Sequence, residues 1–75
     1  MIVSLAQQIE EVELELSFRR EVYPRLVAAR KKKKSTAEYQ ITRMEAVLRT
    51  LLTFKKHETA IRAAIEAEKA KEKAA

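Results

Sequence analysis

Ser4-Leu5-Ala6-Gln7-Gln8-Ile9-Glu10-Glu11-Val12-Glu13-Leu14-Glu15-Leu16 decides the fold. Its first four residues make a capping box, in which the Ser4 hydroxyl accepts the N3 amide and Gln7 reaches back to the Ser4 amide. A helix therefore starts near Leu5. Apolar residues then recur at Leu5, Ile9, Val12, Leu16, Tyr23 and Leu26, spaced 4, 3, 4, 7 and 3. That spacing is a heptad seam with Arg19 in one core slot, broadened by Val22 and Val27.

Outward from this stretch, Pro24 has no amide proton and leaves the Arg20 carbonyl without its helical partner. The stripe continues across it, so the sequence predicts one helix over about 4–29, bent near Pro24; a short loop there is the alternative. The apolar pattern stops at Arg30-Lys31-Lys32-Lys33-Lys34. A second capping box, Ser35-Thr36-Ala37-Glu38, then predicts a turn over 30–35 and a helix over about 36–68. Ile41, Met44, Val47, Leu48, Leu51 and Phe54 share one face of that helix, which Ile61 and Ile65 extend. Nothing apolar larger than alanine follows Ile65, so residues 69–75 are expected to fray.

Folding the second helix back about residue 33 pairs positions whose numbers sum to roughly 65. In that register Glu10 and Glu11 fall opposite Lys55 and Lys56, Arg20 opposite Glu45, and Glu21 opposite Arg43. Val12 meets Phe54, Leu16 meets Leu48 and Leu51, and Tyr23 meets Ile41 and Met44. Arg19, inside the seam, either pairs with Glu45 or snorkels past it. The expected fold is all-α: a single coiled-coil-like antiparallel two-helix hairpin that dimerises into a helical bundle.

Composition agrees and explains why a dimer is expected. The chain has 75 residues, no glycine, one proline and 36% charged residues. A β fold would lack the positive-φ turn residues its hairpins need. A chain this short buries only about 60% of the surface its unfolded form exposes, and without cysteine no disulfide can staple it. Self-association is the remaining route. In the expected register the second helix overshoots the first, so Ile61 and Ile65 lie uncovered along with the outward Leu14, Phe18 and Leu52. These five residues are the candidate face for a second copy or for a protein partner.

Charge marks a second candidate surface. Residues 19–34 carry eight basic side chains against Glu21 alone, whereas the whole chain carries a net +5. Arg25, Arg30, Lys31, Lys32, Lys33 and Lys34 could contact a nucleic-acid backbone or another polyanion, or form a solvated turn. No aromatic residues are interleaved for base stacking.

Other chemistry finds no support in the residue pattern. The single histidine, His57, has no nucleophile or companion ligands at useful spacing, and the Glu-x-x-His pattern of helical di-metal sites is missing. Without glycine there is no phosphate loop. No catalytic residue, metal or cofactor is expected, and the chain reads as non-enzymatic. Met1 to Ala6 lacks a basic n-region and runs into Gln7, Gln8, Glu10 and Glu11, unlike a signal peptide. No stretch reaches the roughly 18 uncharged apolar residues of a membrane span. A soluble, cytoplasmic protein is expected.

Three segments carry a resemblance: Ile9-Glu10-Glu11-Val12-Glu13, Arg19-Arg20-Glu21-Val22-Tyr23-Pro24-Arg25-Leu26-Val27 and Arg43-Met44-Glu45-Ala46-Val47-Leu48-Arg49-Thr50-Leu51. Over about residues 5–52 the chain resembles small bacteriophage and prophage-encoded proteins of uncharacterised function. Val-Tyr-Pro-Arg is the most specific piece, and the relatives carry a glycine-containing turn where this chain has Lys31 to Lys34. The resemblance implies a phage or prophage setting and no mechanism.

Overall fold

The structure, a computed structural model, describes residues 1–74. Among them there are three helices and no strand: α1 (Leu5–Ala28), α2 (Lys34–Lys56) and α3 (Glu58–Ala74). The capping box at the start of α1 forms as its chemistry requires. The Gln7 amide donates to Ser4 Oγ at 3.1 Å and the Ser4 amide donates to Gln7 Oε1 at 2.9 Å. α1 runs unbroken through Pro24 to its cap at Ala29, with no intervening loop.

The reversal after α1 uses backbone hydrogen bonds in place of glycine. The Arg30 amide donates to the Val27 carbonyl at 3.0 Å and the Lys31 amide to the Leu26 carbonyl at 2.8 Å, the paired bonds of a Schellman motif. That motif needs a left-handed residue between cap and turn, and Arg30 supplies it at φ 58°. Arginine stands where glycine is the usual solution.

The second helix departs from expectation at both ends. It begins at Lys34, with Lys33 as a cap that makes no side-chain hydrogen bond, so the Ser35-Thr36-Ala37-Glu38 capping box does not form. Starting at Lys34 places Ala37, which is buried, and Ile41 one turn apart on the face toward α1. Lys32 is meanwhile held against Tyr23 and Gln40. These tertiary contacts outweigh the roughly 1 kcal/mol of a side-chain cap.

The expected continuous helix over 36–68 is two helices, broken at His57. The His57 amide is shared between the Thr53 and Phe54 carbonyls, at 3.2 Å each, which tightens the last turn of α2. Thr53 contributes by returning its hydroxyl to the Arg49 carbonyl at 2.9 Å, a back-bond that bends helices. The helix restarts at once, the Ile61 amide donating to the His57 carbonyl at 3.0 Å. Residues 34–74 as one straight rod would measure about 60 Å, and the longest dimension of the molecule is 60 Å. α3 therefore continues the direction of α2 as an arm, its backbone clear of α1. Of the segment 69–75 expected to fray, residues 69–74 are helical in α3, and residue 75 lies outside the described residues.

α1 and α2 run antiparallel, with Arg20 bonded to Glu45 at 3.0 Å and Tyr23 beside both Ile41 and Met44. None of the other expected cross-helix ion pairs forms among the described residues; Glu10, Glu11 and Lys56 have no ion-pair partner there, and the remaining groups turn to local neighbours. Glu21 takes Arg25, Lys55 takes Glu58, and Arg43 lies over the Tyr39 ring. Neighbours one turn apart meet without the entropy cost of bridging two helices. Arg19 binds Glu15 at 2.9 Å and donates to the Gln40 carbonyl at 2.9 Å, not to Glu45. The core between the helices is small: Leu16 is 2% exposed, and among the described residues only Ile9 and Ala37 join it as buried apolar residues.

Candidate interaction surfaces

The basic tip is divided by its own contacts. Arg25 is paired with Glu21 at 3.1 Å and Lys34 lies 3.9 Å from Glu38, each within one helical turn. Lys32 turns inward: its ammonium sits 4.4 Å from the centroid of the Tyr23 ring and donates to Gln40 Oε1. Arg19 approaches the same ring at 5.9 Å, so Tyr23 meets two cations. Arg30, Lys31 and Lys33 are exposed and have no ion-pair partner among the described residues. The five residues 30–34 and Val27 line a shallow concavity of about 380 Å³. Of six candidate polyanion contacts, three are thus free, two are paired locally, and Lys32 serves the fold.

The five residues of the expected self-association face are distributed over α1, α2 and α3. Leu14 and Phe18, 60% and 54% exposed, each stand two residues from buried Leu16, on the side of α1 turned away from α2. Leu52 is exposed on α2, and Ile65 is exposed out on the α3 arm. Ile61 is half-buried near the His57 junction.

The surface that does form a continuous trough was not legible as one. Val47, expected among the core positions of the second helix, is 45% exposed. It lines two adjoining grooves. One, of about 730 Å³, has Val3, Val12, Val47 and Leu51 among its apolar walls and Glu10 and Glu11 on its rim. The other, of about 310 Å³, is lined by Arg19, Tyr23, Gln40, Arg43, Met44 and Val47. Gln40, Met44, Val47 and Leu51 recur at helical spacing along α2, which makes the grooves one trough. Met1, Ile2 and Tyr39 are further exposed apolar side chains that the heptad pattern does not reach.

Glu58 opens α3 with its carboxylate held below the ordinary glutamate value of 4.5, first by the Arg62 hydrogen bond at 2.9 Å and then by Lys55. Its role there is favourable charge at a helix N-terminus. Among the described residues no group of three His, Cys, Asp or Glu side chains could hold a metal ion. No helix among them is long and apolar enough to cross a membrane. No family model, curated protein or solved structure matches this chain.

Proposed function

We propose that this chain is a non-enzymatic helical interaction protein. In this reading α1 and α2 form a hairpin from which α3 projects, the hairpin pairs with a second copy as a helical bundle, and the assembly binds a protein partner. The cytoplasm of a host cell, in the phage or prophage setting that the Val-Tyr-Pro-Arg resemblance implies, belongs to the same proposal.

One observation carries it: the area left uncovered. The chain exposes 6367 Å², against about 4,700 Å² for a compact monomer of its mass. The difference, about 1,600 Å² on one chain, is about twice what each partner contributes to a standard protein interface. Large apolar side chains on every helix lie within it. Sedimentation equilibrium tests the reading. A dimer is expected at high micromolar concentration, and a monomer throughout that range removes self-association.

A second reading, contact with a nucleic-acid backbone through the tip, is favoured by the free side chains of Arg30, Lys31 and Lys33 around one concavity. Substituting Lys31 and Lys33 with Gln should then weaken binding to unrelated sequences alike and flatten its salt dependence. DNA retardation unaffected by these changes, or no retardation at low salt, removes this reading.

A further inference from the structure

We infer that the second copy packs on the trough around Val47, antiparallel, with a two-fold axis that lies in the interface and crosses the helices at Val47. The inference rests on the self-association proposed above and names its face and orientation.

The two grooves that meet at Val47 carry opposite charge. Glu10 and Glu11 rim one end, and neither has an ion-pair partner among the described residues. Arg43 borders the other end, together with Arg19, which is already bonded to Glu15. The acidic and basic side chains lie on opposite sides of the level of Val47. Arg43 precedes Val47 by four residues, about 6 Å along α2. Arg20 is bonded to Glu45 across the helices, which places Val47 level with about residue 18 of α1. Glu11 therefore lies about 10 Å from the level of Val47 on one side and Arg43 about 6 Å on the other, so the midpoint between them falls about 2 Å from Val47.

A two-fold axis across the helices exchanges these levels. It seats the acidic-rimmed groove of each copy on the basic-rimmed groove of the other, and it sets Val47 against Val47 of the second copy. An axis along the helices would instead set acidic end on acidic end. Such an isologous contact needs one self-complementary face, and this face is self-complementary only in the antiparallel sense.

Size is compatible with a real dimer. α1 has 24 residues, about 36 Å of helix, and the molecule is 20 to 23 Å across. Covering one face of the hairpin in both copies removes about 1,400 Å² from water, within the range of about 1,200–2,000 Å² for stable interfaces. The partly buried apolar floor supplies the centre and the charges form the rim, the usual anatomy of a specific contact.

A chain without native cysteine makes disulfide trapping a clean test. Val47→Cys should cross-link to itself on mild oxidation, because an axial pair brings its Cβ atoms within bonding reach. Leu52→Cys, about 140° around α2 from Val47, should not. Glu11→Arg and Arg43→Glu should each weaken dimerisation roughly tenfold, and the double variant should recover most of the loss. Circular dichroism on each variant confirms that the fold is kept. A wild-type dimer in which Leu52→Cys or Ile65→Cys cross-links and Val47→Cys does not would overturn this face while leaving self-association intact. A wild-type monomer at high micromolar concentration would overturn both.

Discussion

Replacing Arg30 with glycine is expected to stabilise the fold, although it removes a side chain and a charge. Arg30 sits at φ 58° because the Schellman motif after α1 demands a left-handed residue there. A Cβ in that conformation costs about 1–2 kcal/mol. Glycine removes the clash and returns about 0.5–1 kcal/mol through its greater freedom in the unfolded chain. The net gain is about 0.5–1 kcal/mol, or roughly 2–8 °C in melting temperature for a chain of this size. Thermal unfolding followed by circular dichroism reads the effect, at fixed protein concentration because association shifts the midpoint. Arg30→Ala is the control. It removes the guanidinium from a crowded basic tip but keeps the Cβ, so it should gain little. Equal gains in the two variants would show that charge repulsion, and not backbone strain, governs this position, and a loss in the glycine variant would refute the strain argument.

Three further outcomes are expected. Lys33→Asp should stabilise α2 by about 1 kcal/mol by capping its bare amides, whereas Ser35→Ala should be near neutral, since Ser35 lies inside the first turn and does not cap; denaturant midpoints separate the two. Leu16→Ala should cost about 2–5 kcal/mol and leave the chain largely unfolded, while Leu14→Ala in dilute protein should change the midpoint by less than about 0.5 kcal/mol, because Leu16 is buried and Leu14 faces outward. The folded Glu58 carboxyl lies below its ordinary value of 4.5, so its stabilisation is complete above that value and is lost as pH falls through the lower folded one. Helicity should decline across that acid window, and Glu58→Gln should remove that part of the decline.

The all-helical character and the start of α1 were determined by the sequence alone, for a physical reason. Ser4 and Gln7 satisfy each other's amides within one turn, and the seam through Ile9, Val12 and Leu16 repeats at the period of the helix itself. Such interactions are closed within a few residues and do not depend on what packs later. The direction of the second helix was legible for a similar reason, since Arg20 with Glu45 and Tyr23 with Ile41 and Met44 follow from reversal alone.

Tertiary structure decided wherever several neighbours competed for one group. Glu10, Glu11, Glu21, Lys55 and Arg43 have cross-helix partners on paper, but those that pair do so with residues one turn away, which are nearer at lower entropy cost. The second capping box yields to the burial of Ala37 and the anchoring of Lys32, and the left-handed turn falls on an arginine that no composition rule would choose. The break at His57 sends Ile65 away from the core, and the register leaves Val47 at the surface between two grooves of opposite charge. A period says which residues share a face. Only the packed neighbour says whether that face is covered, and in this chain it leaves the Val47 trough open.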